Sequence, residues 1–139
     1  MAVLLRDGFR WFVDRLNDEA VAAGEVRVSP SAGLVISYLR PGGIRSADLA
    51  RLMGMSRQHL HAVLRELIGA GVVTIDPDPT SGRDRLVNTT AAGEIRRLRA
   101  LDTLARVESD LAATIGEPAV RTLRETLDQA WGRQSKPAP

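Results

Sequence analysis

The chain contains no cysteine, and aromatic residues make up only 4% of it. The first absence removes structural disulfides, thiolate-bound zinc, iron–sulfur clusters, thiol catalysis and thiol redox sensing together. It suits a cytoplasmic protein, and a cytoplasmic location is the expectation. The second absence leaves the core to aliphatic side chains. Long apolar runs are missing as well. The longest uncharged stretch in the first half, Val28 to Leu39, is too short to span a bilayer, and Arg6, Asp7 and Arg10 break up the N-terminal segment before it can act as a signal peptide. No membrane partner is expected. Histidine is scarce too: the two, His59 and His61, lie two residues apart on one predicted helix and point in different directions. They supply neither a Ser–His–Asp constellation nor a His-rich metal site. The acids are scattered over predicted helix faces. The sequence therefore predicts no enzyme, no metal and no cofactor.

What is present fits one folded domain. Of 139 residues, 44% are hydrophobic and 26% charged, enough for a real core without covalent staples. Net charge is +2, but it is unevenly spread. Residues 1–39 carry a net −1 and residues 98–139 a net zero, while residues 40–97 carry nine Arg against six acids. A polyanion is met most favourably by the middle of the chain. Eighteen of the nineteen basic residues are Arg, whose guanidinium suits bidentate contacts to phosphate and guanine.

The hydrophobic pattern predicts helices first. Leu5, Phe9, Phe12, Val13 and Leu16 recur at helical spacing between about Val3 and Ala22, with Gly24 as a stop. Ser29 then caps a helix that has Pro30 at its first position, carries Leu34, Val35 and Leu39, and breaks at Pro41-Gly42-Gly43. Ser46 is expected to cap a short third helix ending at Gly54. Ser56 caps a fourth, Arg57 to about Ile68, closed by Gly69 or Gly71. Val72 to Ile75 is β-branched and reads as a strand; Asp76 to Gly82 is rich in turn formers; Leu86 to Thr89 reads as the returning strand. Thr90 caps a long helix whose apolar set is Ile95, Leu98, Leu101, Leu104, Leu111 and Ile115, ended by Gly116. A last helix begins near Glu117 and Pro118 and carries Val120, Leu123, Leu127 and Trp131. Residues 132–139 are expected to be a disordered tail. The fold class is mainly α with one small β-hairpin.

The segment from Ser46 to Val63 carries the functional signal. Two helices crossing steeply need a small residue at their contact, which Ala50 supplies, and a turn with positive φ, which Gly54 supplies. Leu49, Met53, Met55, Leu60 and Val63 fall where such a pair locks together. This is the pattern of a helix-turn-helix. On its second helix, Leu60, Val63, Leu64 and Leu67 form a core stripe. Arg57, Gln58, His61 and Arg65 occupy the other face, long polar side chains of the kind a recognition helix presents in the major groove. Ser56 and the helix N-terminus can meet a phosphate. Arg83 and Arg85, at or just after the hairpin tip, give a wing able to reach a phosphate or the minor groove. Asp76, Asp78 and Asp84 dilute the positive field there. Arg57, Gln58 and His61 are expected to read bases, with Arg65, Arg83 and Arg85 on the backbone or groove edges.

On these residues the chain resembles the MarR family of bacterial transcription regulators. The resemblance runs from about Leu5 to Trp131 and is most specific from Asp48-Leu49-Ala50 through Gly71-Val72-Val73, in the wing, and from Val87 to Gly93. Arg83 matches the family's wing Arg, and Val87, Thr90 and Gly93 match the strand end that follows. Ser81 stands where the family has Asp, and Thr89 where it has Leu, leaving Asp84 as the candidate to brace Arg83. The resemblance implies a winged helix-turn-helix at about 30–90 flanked by dimerisation helices at about 3–23 and 91–131. It implies a homodimer that places two recognition helices about 34–36 Å apart on palindromic double-stranded DNA. Repression is the mode it implies. It also implies release by a small aromatic or anionic effector, for which Arg10, Trp11, Arg15 and Tyr38, with Phe12, are the candidate lining. A second reading from the residues is a winged-helix module for protein–protein contact without specific DNA binding.

Overall fold

A computed structural model describes residues 1–131, so the predicted disordered tail lies outside the described residues. Six helices and three strands follow in the order α1 (Ala2–Ala22), α2 (Pro30–Tyr38), β1 (Ile44–Arg45), α3 (Ser46–Leu52), α4 (Arg57–Gly69), β2 (Val73–Pro77), β3 (Arg85–Thr89), α5 (Ala91–Ile115) and α6 (Glu117–Trp131). Local chemistry sets most boundaries. Ser29 Oγ accepts the N–H of Ala32, Ser56 Oγ that of His59 and Thr90 Oγ1 that of Gly93, so each satisfies an orphan donor at a helix start. Ser46 does not cap α3. Arg45 holds the cap position in extended conformation without a side-chain bond, because Ile44 and Arg45 form a short strand that leads straight into the helix. Gly69 lies inside α4. The turn beyond it is made at Gly71, at φ +70°.

The antiparallel sheet has strand order β1-β3-β2, with Ile75 opposite Val87 and Val87 opposite Ile44. The hairpin β2–β3 is the wing, and β1 is the strand that sequence periodicity does not reveal, since two residues carry no alternation. One aliphatic core joins α2, α3, α4 and the sheet around Val35, Leu49, Leu60, Leu64, Leu67 and Val87. Ala50 is buried, and Gly54 makes the tight turn at φ +61°, as the helix-turn-helix spacing requires.

The sheet and α5 meet at a second close approach. Thr90 donates its hydroxyl to the Gly71 carbonyl at 2.6 Å and its N–H to the Val72 carbonyl at 3.0 Å. A Cβ at Gly93 would fall inside van der Waals contact of that same Val72 carbonyl oxygen. Glycine is demanded here by backbone packing.

The long helix leaves much of its apolar pattern outside the core. Its buried residues are Gly93, Arg96, Thr103 and Val107, whereas Ile95, Leu98, Leu101 and Ile115 are exposed. Of the expected apolar set, Leu104 and Leu111 are half-buried and the other four are exposed in the single chain. α1 packs on α5, has Val13, Asn17 and Ala20 buried, and leaves Val3, Leu4 and Leu5 exposed; no residue of α6 is fully buried, Val120 and Leu127 being half-buried.

Candidate nucleic-acid interface

The face of α4 turned away from the core is polar throughout. Leu60, Val63, Leu64 and Leu67 are buried, and Arg57, Gln58, His61 and Arg65 are all exposed. Arg57, His61 and Arg65, four residues apart, follow one line along the helix. Glu66 is the sole acid of this helix, and it turns inward: its carboxylate accepts the Ser29 N–H at 2.5 Å and the Ser29 hydroxyl at 2.7 Å. No carboxylate of α4 is left to neutralise the exposed arginines. Ser56 is committed to capping but stays exposed at the helix start.

The wing disposes of its acids in the same way. Arg45, on β1, donates from Nε to Asp78 Oδ2 at 2.6 Å, lies 3.9 Å from Asp84 Oδ2, and donates from Nη2 to Thr80 Oγ1 at 3.1 Å. Asp78 Oδ1 accepts the Thr80 N–H at 2.8 Å and the Thr80 hydroxyl at 2.7 Å. These bonds to Thr80 first, and then to Arg45, stabilise the ionised carboxylate and hold its pKa down to about 2. The same pairing raises Arg45. Asp76 accepts from Asn88 Nδ2 at 2.8 Å and Thr74 Oγ1 at 3.0 Å. The three Asp residues expected to dilute the field are thus engaged within the wing. Asp84 does not brace Arg83. Its carboxylate faces Arg45, and Arg83 makes no ion pair among the described residues.

Most arginines elsewhere are paired, for instance Arg15 with Asp110, Arg97 with Glu94 and Arg106 with Glu19 and Asp102. Among the described residues, those without an acidic partner are Arg10, Arg40, Arg57, Arg65, Arg83, Arg85 and Arg121. Four of the seven are the arginines expected on the recognition helix and wing. Arg40, exposed in the turn before β1, was missed by sequence reasoning, as were the wing brace Arg45–Asp78–Thr80 and the Glu66 anchor. The Asp78-x-Thr80 spacing in a Pro- and Gly-rich turn was a signal for the first of these bonds. The Ser29–Glu66 pair left none.

A cavity of about 340 Å³ opens between α1, α2 and α5. Phe9, Phe12, Leu16 and Leu34 contribute to its apolar wall, and Glu25, Arg96 and Arg99 to its charged end. Of the residues expected to hold an effector, only Phe12 lines it. Arg10 is exposed, Arg15 is held by Asp110, Trp11 lies against Phe12 edge-to-face at 5.1 Å, and Tyr38 packs on the core. The helical turn of α1 explains the difference: the inward residues are Phe9, Phe12, Val13 and Leu16, and Arg10, Trp11 and Arg15 fall on its outer side. Among the described residues there is no group of three or more His, Cys, Asp or Glu side chains placed to hold a metal, and no helix long and apolar enough to cross a membrane.

No family model matches the chain. It is 30% identical over 87 residues to an HTH-type transcriptional repressor of Mycobacterium tuberculosis, an alignment that takes in 63% of each protein. A repressor of Mycobacterium bovis matches equally. The chain spans less than two thirds of the length of these relatives. Among solved structures, MarR superposes with a TM-score of 0.77 at 19% identity, covering 96% of this chain and 89% of that one. The DNA complex of MepR from Staphylococcus aureus gives 0.73 at 13% identity over 96% and 97% of the two chains. CouR from Rhodococcus jostii, bound to p-coumaroyl-CoA, gives 0.67 at 20% identity over 92% and 88%.

Proposed function

We propose that this chain, which has the winged-helix fold of the MarR-family transcriptional regulators, is a cytoplasmic transcriptional repressor that binds a palindromic site on double-stranded DNA as a homodimer. The observation that carries the reading is the distribution of unpaired cations. The arginines of α4 and the wing have no acidic partner among the described residues, while Glu66 and Asp78 are turned to internal bonds and Asp84 faces Arg45. A surface that retires its own acids and keeps its guanidiniums free is built to meet an external polyanion.

In this reading Arg57, Gln58 and His61 read base edges in the major groove, Ser56 and Arg65 contact the backbone, and Arg83 with Arg85 reaches from the wing to a phosphate or the minor groove. Exposed Leu98, Leu123 and the N-terminal leucines of α1 form the apolar surface buried between two copies. The cavity beside α5 receives a small aromatic or anionic effector that releases the DNA. CouR, whose structure holds a coenzyme A thioester, supports an effector on this fold, and the MepR–DNA complex supports its use on duplex DNA. The protein's role is binding and release, with no chemical turnover.

Fluorescence anisotropy against the DNA upstream of the protein's own gene, with a scrambled duplex as control, tests the proposal across a range of salt. Tight binding with a large preference for the native sequence is expected, falling about 10³–10⁵-fold between 50 and 200 mM salt for 6–10 phosphate contacts. No binding at low salt would overturn it in favour of a protein-interaction module.

A further inference from the structure

The cavity between α1, α2 and α5 ends in a charge cluster that its apolar wall does not explain. Arg96 and Arg99, one turn apart on α5, both reach Glu25: Arg99 makes a hydrogen-bonded ion pair with Oε1, and Arg96 Nε lies 3.4 Å from Oε2. Two guanidiniums share one carboxylate. The Arg96 side chain is only 8% exposed, and its one hydrogen bond runs from Nη2 to the Val26 carbonyl at 2.9 Å. Glu25 Oε2 is buried and receives no hydrogen bond at all, despite the guanidinium beside it. Nearby, Arg97 is paired with Glu94, and Glu19 shares Arg106 with Asp102, so neither acid is directed at Arg96 or Arg99. The cluster holds one positive charge more than it neutralises, at the edge of an apolar void, and its single counter-ion fits imperfectly. Unpaired charge in such surroundings is costly, and a guanidinium pair is a strong carboxylate receptor.

Glu25 follows Gly24, at φ +81°, in the loop between α1 and α2, whereas both arginines are on a 25-residue helix. The same loop ends at Ser29, which is bonded to Glu66 of α4.

We propose that the cavity binds an organic anion with an apolar body, and that Glu25 is a built-in competitor for the anionic group. This rests on the reading of the cavity as an effector site. The apolar body lies against Phe9, Phe12 and Leu34. The anionic head takes Arg96 and Arg99, Glu25 is displaced towards solvent, and the loop loses its ion pairs to α5, keeping only the Arg96–Val26 bond. Displacement of the loop reaches α4 through Ser29 and Glu66, so the competition is also the release signal. The volume, about 340 Å³, is at the small end of the range of roughly 300–1,000 Å³ typical of ligand sites.

The test is a calorimetric titration of the intact protein, without DNA, with 2-naphthoate and with its uncharged analogue 2-naphthamide. Glu25→Gln is expected to bind naphthoate about tenfold more tightly than the wild type, because a charged competitor has been removed, and to leave naphthamide affinity unchanged. Arg99→Gln is expected to weaken naphthoate by a similar factor. Melting curves establish that each variant folds, and if Arg99→Gln does not, the Glu25→Gln comparison decides alone. A folded Glu25→Gln protein that gains nothing for naphthoate, or gains equally for both compounds, overturns the competition. Absence of naphthoate binding in every folded protein overturns the site. Because no DNA is present, failure of the DNA-binding reading is registered separately, in the anisotropy measurement.

Discussion

Ser29 gives both its backbone N–H and its hydroxyl to the carboxylate of Glu66, 37 residues away, while its Oγ also accepts the N–H of Ala32 at the start of α2. One small side chain therefore ties together the end of the α1–α2 loop, the start of α2 and the C-terminal half of α4. The bonds are charge-assisted and only partly buried, so their contribution is moderate. Glu66→Gln is expected to lower unfolding stability by about 1–2 kcal/mol, measured by urea denaturation. Because the substitution loosens the link between the loop and α4, it is also expected to leave effector affinity intact while weakening the effector's influence on DNA affinity. Unchanged stability together with unchanged coupling would show that the link is incidental.

Arg57 and Arg83 differ in what surrounds them, and their substitutions should differ in kind. Arg57 opens α4, and Arg83 sits on the wing with no carboxylate paired to it among the described residues. Arg57→Ala is expected to cost on the order of 1–3 kcal/mol on the cognate duplex and less on a scrambled one. Arg83→Ala should weaken both duplexes evenly and reduce the salt slope by about one phosphate contact. Anisotropy on the two duplexes separates these outcomes, and equal losses for Arg57→Ala would sink the division of roles.

The wing should loosen in acid. The Asp78 carboxyl is held at about 2, below its unfolded value of 3.8, by Thr80 and then Arg45. A depressed folded pKa contributes stability that is fully present above the unfolded value and is lost as pH falls through the folded one. The brace at the wing base is therefore expected to persist at neutral pH and weaken progressively between about pH 4 and pH 2. The amide resonance of Thr80, which donates to Asp78, should report the change. Asp78→Asn should produce a mobile 78–84 loop at pH 7, seen as faster proteolysis there.

Gly93→Ala tests the junction between the sheet and α5. A methyl group there would collide with the Val72 carbonyl oxygen and press on Thr89 Cγ2 at 2.9 Å, and backbone must move to admit it. In an exposed helix the same change would be favourable. Here a loss of about 3 kcal/mol is expected, measured by thermal or urea unfolding. A variant as stable as the wild type would mean that α5 can slide away from the sheet freely.

α6 packs on α5 and half-buries Val120 and Leu127, but much of its apolar surface stays exposed among the described residues. Leu123 and Trp131 are exposed, and the helix fully buries none of its residues. Leu123→Glu is expected to shift the protein from dimer to monomer in light scattering and to reduce DNA affinity, since a monomer engages one half-site. A dimer undisturbed by this change would move the interface to another part of the surface.

The sequence by itself determined all the elements but β1, and the polar face of α4. Hydrophobic periodicity, Ser29, Ser56 and Thr90 as caps, and Gly54 at a turn are all local signals, acting within one or two helical turns, and the folded chain keeps them. The polar face of Arg57, Gln58, His61 and Arg65 follows from the same 3.6-residue repeat. Only tertiary structure decided which charges remain free. Glu66 is retired by Ser29, Asp78 by Arg45, and Glu25 by Arg96 and Arg99, pairs separated by 33 to 74 residues that no spacing rule connects. It also decided that α5 turns Arg96 and Thr103 inward and Leu98 outward. A helix with apolar and polar faces specifies an amphipathic surface. Whether the apolar side meets its own chain or a second copy depends on how the other helices are packed, and that information is not local.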